Sequence, residues 1–214
     1  MMFVEPWSKR HKKDTGSAAF SLSNSFVEPL TNAELISLSL ARGDQQIIDE
    51  FHEHSLVYTP NGGSLDLRQE IANLYGTNIC ADNILVFSGG QVALQTAATA
   101  IVGKNSHSIV FSPGYQSVQQ APIQAGSQLT TIQLYAENHW QIDPRMVEAA
   151  IQKNTRYLVI NEPYNPAGTL MKAGLQQQLR AIADRHGIYI LADEVYRLLE
   201  HDANDRLPAM AECY

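Results

Sequence analysis

The pattern of apolar and polar positions divides the chain into an irregular first part and a regular second part. Residues 1–30 are polar and rich in serine, without a repeating apolar spacing, and they indicate an arm rather than a domain. From residue 84 onward, short apolar runs alternate with helical segments. Strands that are apolar throughout are typical of sheets covered by helices on both faces. The pattern therefore predicts an α/β fold with three α/β/α layers and a mainly parallel sheet.

The same pattern predicts five strands and seven helices. The predicted strands are residues 84–87, 108–112, 130–134, 157–161 and 188–193. The predicted helices are residues 31–42, 45–54, 65–75, 91–101, 116–125, 144–153 and 173–186. Thr31 and Glu34 have the spacing of a capping box at the start of the first helix.

Charge and cysteine content narrow the class of protein. The 214 residues carry a formal net charge of −7, which argues against a nucleic-acid partner. No apolar run approaches the roughly 20 residues that span a membrane. The two cysteines, Cys80 and Cys213, are too few for a disulfide framework. We expect a cytoplasmic enzyme of small molecules without nucleic-acid or membrane partners. The basic residues Lys9, Arg10, Lys12 and Lys13 are interpreted as a solvated tail.

In open α/β sheets, ligands bind beyond the carboxyl ends of the strands, so the residues that follow each strand are informative. Gly89 and Gly90 follow the first predicted strand and precede a helix. Free N–H groups at a helix N-terminus favour an anion, although glycine is also common in ordinary turns. Tyr115 follows the second strand, where an aromatic ring either covers a flat ligand or is simply half-buried.

Two further strand ends carry polar side chains. Asn165 lies in a segment that two prolines and a glycine constrain, which indicates a rigidly held amide. Asp193 ends the last predicted strand, where a buried carboxylate is costly unless it is paired. A protonated ring nitrogen or a local helix N-terminus would each serve as a partner. Tyr196 follows Asp193 at helical spacing, so both side chains can face one site.

The order and spacing of these segments are more specific than any one of them. The segments are Tyr58-Thr59-Pro60-Asn61-Gly62-Gly63, Ser88-Gly89-Gly90-Gln91, Pro113-Gly114-Tyr115, Asn161-x-Pro163-x-Asn165-Pro166-x-Gly168 and Asp193-Glu194-Val195-Tyr196. From about residue 45 to the C-terminus, the series closely resembles class I/II aminotransferases of the fold type I family, which depend on pyridoxal 5′-phosphate (PLP).

This resemblance implies roles at the cofactor phosphate. Gly89, Gly90 and Gln91 would hold the phosphate, chiefly through backbone N–H groups. Tyr58 matches the family's tyrosine that reaches the phosphate of the neighbouring subunit. The match implies a homodimer with shared sites.

The resemblance also implies roles at the cofactor ring. Tyr115 would stack on the pyridine ring, and Asp193 would pair with its protonated nitrogen. Asn165 and Tyr196 would form hydrogen bonds to the phenolic oxygen of the ring.

The family's Schiff-base lysine has no counterpart in the matching motif of this sequence. The six lysines are Lys9, Lys12, Lys13, Lys104, Lys153 and Lys172. We therefore expect a truncated or split N-terminal part, inactive alone, that lacks the small C-terminal domain and the substrate-binding arginine. A complementary C-terminal polypeptide is then an alternative partner to a second copy. The expected division is an arm and helix at 1–44 and a partial PLP-binding domain at 45–214.

The expected reaction is transfer of an amino group between an amino acid and a 2-oxo acid. Other fold type I reactions share the same cofactor residues, so a lyase, an oxidase or a cyclase remains an alternative. A non-catalytic PLP-binding or partner subunit and a decayed gene fragment are further alternatives. Residues 20–26 depart from the G-x-P-x-F element common in the family, and the substrate is not predicted.

Overall fold

A computed structural model describes residues 27–213, which form parts of two compact units, Met1–Thr59 and Pro60–Tyr214. The first unit contains helices α1 (Asn32–Arg42) and α2 (Gln45–Glu53). The basic cluster, residues 20–26 and most of the predicted arm lie outside the described residues.

Local sequence sets both ends of α1. The Thr31 hydroxyl accepts the N–H of Glu34 at 3.2 Å, and the Glu34 carboxylate accepts the N–H of Thr31 at 2.7 Å. Gly43 ends the helix with a left-handed backbone at φ 89°, where glycine carries no steric penalty. The predicted capping box is confirmed.

The second unit is a parallel α/β sheet with helices. Its helices are α3 (Leu65–Ala72), α4 (Gly90–Ile101), α5 (Gln116–Gln124), α6 (Pro144–Ala150) and α7 (Ala173–His186). Its strands are β1 (His107–Ser112), β2 (Gln128–Gln133), β3 (Thr155–Asn161) and β4 (Tyr189–Asp193). The order across the sheet is β2-β1-β3-β4, and all neighbouring strands are parallel. Within residues 27–213, no helix has the length and apolar character needed to cross a membrane.

Alternate residues of the central strands enter two separate apolar cores. On one face, Leu158 of β3 belongs to the core that contains Leu179 of α7. On the other face, Val159 belongs to the core that contains Ala98 of α4. Because adjacent strand residues point to opposite faces, helices cover both sides of the sheet. The three-layer α/β/α prediction is confirmed.

A buried histidine connects the strands at their amino ends. The two ring nitrogens of His107 each lie 2.8 Å from a threonine hydroxyl, Thr155 of β3 and Thr130 of β2. Burial lowers the pKa of His107, which favours the neutral ring. The amino edge of the sheet is thus held by side chains as well as by backbone bonds, while the carboxyl edge carries the loops.

The prediction of a strand at residues 84–87 is wrong. Ile84 has an extended backbone, with φ −105° and ψ 129°. Its inter-segment hydrogen bond runs from the N–H of Val86 to the carbonyl of Gly62 at 2.9 Å. No strand within residues 27–213 pairs with this segment, and Leu85 is 69% exposed. The extended backbone at Ile84 agrees with the apolar pattern, but a strand also requires a partner along its length.

Candidate functional site

The predicted site residues of the second unit lie where α4 begins and where β1, β3 and β4 end. Gly89 precedes α4 with φ 103°, a conformation that favours glycine. The N–H groups of Gly90 and Gln91 have no acceptor within residues 27–213. A Cβ added at Gly89 or Gly90 would meet no atom within 4 Å, so the space beside the turn is open. Free N–H groups beside open space form a seat for an anion.

The side chain of Gln91 connects the start of α4 to the start of α5. Its Nε2 donates to the hydroxyl of Tyr115 at 3.1 Å and to that of Ser117 at 3.2 Å. Tyr115, directly before α5, is 37% exposed, so part of its side chain is accessible to a ligand. Ser117 was not predicted, because a serine in a first helical turn is too common to indicate a site.

Tyr164 fastens the loop after β3 to the loop after β1. Its ring is buried, and its hydroxyl donates to the carbonyl of Pro113. Burial raises the pKa of Tyr164 to about 12, so the hydroxyl remains a donor at neutral pH. The two loops that carry Tyr115 and Asn165 are therefore tied to each other.

Asn165 and Tyr196 are in direct contact. The amide nitrogen of Asn165 donates to the Tyr196 hydroxyl at 3.2 Å. The backbone N–H of Asn165 donates to Oδ1 of Asn161 at 2.9 Å. Asn161 stood within the recognised motif, but its role was not predicted because its partners are backbone atoms.

Asp193 is a partly buried carboxylate at the end of β4 without a cationic partner. The backbone N–H of Val195 donates to its Oδ1 at 3.3 Å. Burial raises the pKa of Asp193, and this hydrogen bond opposes the shift. Within the described part of the chain, no lysine, arginine or histidine forms an ion pair with it. A carboxylate in such a place is stabilised by a ligand that brings a positive charge.

Two further acidic side chains, those of Glu162 and Glu194, are partly buried. Glu162 and Glu194 directly follow Asn161 and Asp193 in the chain, and both line a small cavity of about 30 Å³. Burial raises the pKa of Glu162 to about 7, with smaller contributions from the charges of Glu194 and Glu200. Burial also raises the pKa of Glu194, although Met210 N–H donates to its carboxylate at 2.8 Å.

The donor set fits a phosphorylated, protonated pyridine ring. Free N–H groups at the α4 N-terminus suit the phosphate, and the face of Tyr115 suits the ring. Donors from Asn165 and Tyr196 suit a ring oxygen, and the carboxylate of Asp193 suits a protonated nitrogen. Among residues 27–213, no cluster of three histidine, cysteine, aspartate or glutamate side chains could hold a metal ion.

Tyr58 and the described lysines form none of these contacts. Tyr58 belongs to the first unit, its side chain is fully exposed, and it forms no hydrogen bond within residues 27–213. Its predicted role at a neighbouring subunit stays a prediction. The lysines of the described residues, Lys104, Lys153 and Lys172, are all exposed.

Sequence comparison connects this arrangement to known proteins. Residues 39–212 match the family described as Aminotransferase class I and II. An aspartate aminotransferase of Pyrococcus horikoshii is 31% identical over 71% of this chain, which corresponds to 39% of that protein. Human tyrosine aminotransferase is 27% identical over 89% of this chain and 46% of its own length. The chain thus spans less than half of the length of these relatives.

Solved structures agree with the sequence match. A PLP-dependent aminotransferase from Streptococcus suis superposes with a TM-score of 0.83 and 26% identity, covering 97% of this chain and 54% of that structure. An Escherichia coli protein with a methionine aminotransferase function is 29% identical, with a TM-score of 0.65 over 72% of this chain and 42% of its own. The parallel sheet with helices on both faces is the fold of these fold type I enzymes. Since the family match extends over most of its residues, the chain belongs to the aminotransferase class I and II family.

Proposed function

We propose that this chain forms the PLP-binding part of an aminotransferase that transfers an amino group between an amino acid and a 2-oxo acid. The observation that carries the proposal is Asp193, a partly buried carboxylate with a raised pKa and no cationic partner within residues 27–213. Bound PLP supplies an electron sink for a carbanion at the amino-acid α-carbon. Asp193 holds the proton on the ring nitrogen, because an adjacent carboxylate favours the charged form.

The other site residues bind and orient the cofactor. The N–H groups of Gly90 and Gln91, after the turn at Gly89, hold the phosphate at the positive end of α4. Tyr115 covers the ring, and the Gln91 amide fixes the position of its hydroxyl. These contacts anchor the cofactor without taking part in proton transfer.

Asn165 and Tyr196 hold the ring oxygen from one side. Their mutual contact of 3.2 Å places two donors at one position, where a single oxygen atom can accept both hydrogen bonds.

Tyr58 would reach the phosphate of a neighbouring subunit, and we accordingly propose a homodimer or a complementary polypeptide as the partner. We further propose that residues 45–214 form the PLP-binding domain, that residues 1–44 form an arm and helix, and that the compartment is the cytoplasm.

These 214 residues alone are proposed to bind PLP without turnover. The described lysines are exposed, and the sequence has no lysine in the family's catalytic position. A lyase, an oxidase or a cyclase would use the same ring contacts, but the matched relatives are aminotransferases. Product analysis with amino acids, on the enzyme that contains this chain, distinguishes these reactions: formation of a 2-oxo acid with amino transfer is expected.

The binding proposal is tested by fluorescence titration with pyridoxamine 5′-phosphate, which needs no lysine. Asp193→Asn is expected to weaken binding at least tenfold, since it removes a charge-assisted hydrogen bond of about 1.5–3 kcal/mol. Asp66→Asn is the matched control, because Asp66 is an exposed aspartate on α3. Equal affinities of the Asp193→Asn variant and the unaltered chain would refute the assignment.

A further inference from the structure

Asn161 ends β3 and uses both ends of its side-chain amide. Its Nδ2 donates to the backbone carbonyl of Asp193 at 2.8 Å. Its Oδ1 accepts the backbone N–H of Asn165 at 2.9 Å. Asn161 and Asp193 are also register partners of the parallel β3–β4 pair. One planar group therefore connects the end of β4 to the loop after β3.

These two hydrogen bonds differ in whether the backbone group has a second partner. The Asp193 carbonyl has a second donor, the backbone N–H of Glu162 at 3.0 Å, directly after the end of β3. The N–H of Asn165 has no acceptor other than Asn161 within residues 27–213. Loss of the Asn161 side chain would leave the sheet register in place and leave the backbone N–H of Asn165 without its acceptor.

Asn165, which would lose this backbone hydrogen bond, is also the residue whose side-chain amide contacts Tyr196. The Nδ2 of Asn165 lies 3.2 Å from the Tyr196 hydroxyl, so displacement of its backbone moves one of two convergent donors. A contact of this length tolerates little displacement before the hydrogen-bond geometry is lost.

We infer that Asn161 is a positioning residue of the cofactor site: it holds Asn165, and with it the donor to the ring oxygen, at a fixed position relative to Asp193. The inference rests on the proposed function for its ligand, but the tie between Asn161 and Asn165 can be measured without one. Because the Asn161 side chain acts on Asn165 through its amide oxygen, substitutions that keep this acceptor oxygen and substitutions that remove it should have different effects.

The ligand-free test is hydrogen exchange of the Asn165 backbone amide, followed by NMR on the full chain. Asn161→Ala is expected to accelerate this exchange about tenfold, the effect of losing one hydrogen bond. Asn161→Asp retains an acceptor oxygen but loses the donor to the Asp193 carbonyl, so exchange is expected to be slower than in Asn161→Ala and faster than in the unaltered chain. Asn154→Ala is the matched control, since Asn154 makes a side-chain to backbone bond of 3.2 Å to Asn105 before β3 begins. Unchanged exchange in Asn161→Ala overturns the inference.

The ligand test compares pyridoxamine 5′-phosphate with its 3-deoxy analogue, which lacks the ring oxygen. Asn161→Ala is expected to weaken binding of the first about tenfold and of the second less than about twofold. In an Asn165→Ala background, Asn161→Ala should add little, because the donor that it positions is already gone. Equal losses for both ligands would mean that Asn161 does not act through the ring-oxygen donor.

The two tests separate the inference from the proposed function. If the unaltered chain binds neither compound but Asn161→Ala still accelerates exchange at Asn165, the proposed function fails and the positional tie stands. If the unaltered chain binds both compounds and the variant changes neither exchange nor affinity, the proposed function stands and the role of Asn161 is refuted.

Discussion

Tyr157 and Tyr164 are both buried tyrosines, but the hydroxyl of Tyr157 has no hydrogen-bond partner within residues 27–213. Burial raises the pKa of Tyr157, and its hydroxyl stays protonated. Tyr157→Phe is expected to raise the free energy of unfolding by about 1 kcal/mol, because it removes an unsatisfied polar group. Tyr164→Phe removes the donor to the Pro113 carbonyl and should lower the free energy of unfolding by about 1 kcal/mol. Urea denaturation measures both, and equal destabilisation by the two variants would contradict the contrast.

Glu162 should make the protein less stable as the pH rises through the acid range. Burial raises its pKa from an ordinary value of 4.5 to about 7. A carboxyl group with a raised pKa contributes stability that is complete below pH 4.5 and is lost as the pH rises to about 7. The expected loss is on the order of 3 kcal/mol.

Glu162→Gln isolates this contribution, because it removes the titrating group and keeps an oxygen that can accept the N–H of Met171. In urea denaturation between pH 4.5 and 8, the free energy of unfolding of the variant should increase relative to that of the unaltered chain as the pH rises. Glu70→Gln, at an exposed position, is the control. Parallel profiles of Glu162→Gln and the unaltered chain would contradict the assignment.

Among individual residues, the sequence predicts those that directly follow a strand end. Asn165, Asp193 and Tyr196 followed from their places after apolar runs and from the family resemblance. The ties made by Asn161 and Ser117 were missed, because they depend on which backbone atoms or side chains another loop brings near. A single sequence contains no local signal for such neighbours.

Among the helices and strands, local sequence signals predicted the helices well, but the apolar pattern did not predict which segments pair as strands. Helix α7 has the predicted bounds, Ala173–His186, since its spacing and Gly187 define both core face and end. The predicted helices at 65–75 and 144–153 end three residues early, at Ala72 and Ala150. Helix ends depend on the bonding of the last carbonyls, which an apolar pattern does not encode.

Residues 84–87 offer a test of the distinction between an extended segment and a strand. The N–H groups of Leu85 and Phe87 have no acceptor within residues 27–213, whereas that of Val86 bonds to Gly62. Exchange at Leu85 and Phe87 is expected to be at least about a hundredfold faster than in the central strand β1, because open amides lack protection. NMR hydrogen exchange measures this, with Val110 of β1 as the protected reference. Comparable protection at Leu85 and Val110 would show that a partner strand covers the segment.

For the whole molecule, fold class and site location follow from one physical rule. Parallel strands place their carboxyl ends at one edge, so the loops after β1, β3 and β4 converge there. The sequence could predict this convergence from the alternation alone. It could not predict the strand order β2-β1-β3-β4, because several orders satisfy the same alternation.

The described lysines, Lys104, Lys153 and Lys172, are predicted not to form a stoichiometric adduct with PLP. Lys104 precedes β1 and Lys153 precedes β3, so both lie toward the amino edge of the sheet. A six-residue strand is about 20 Å long, which separates them from the loops at the carboxyl edge. Lys172 is exposed directly before α7.

Incubation with PLP, reduction with borohydride and peptide mass spectrometry test this prediction on the full chain. Labelling should be substoichiometric and spread over exposed lysines, and unphosphorylated pyridoxal should give the same distribution. A one-to-one adduct at a single lysine, formed with PLP and absent with pyridoxal, would contradict the prediction. It would place that lysine within reach of the phosphate seat at Gly90 and Gln91, and these 214 residues would then contain the reactive amine that their sequence pattern lacks.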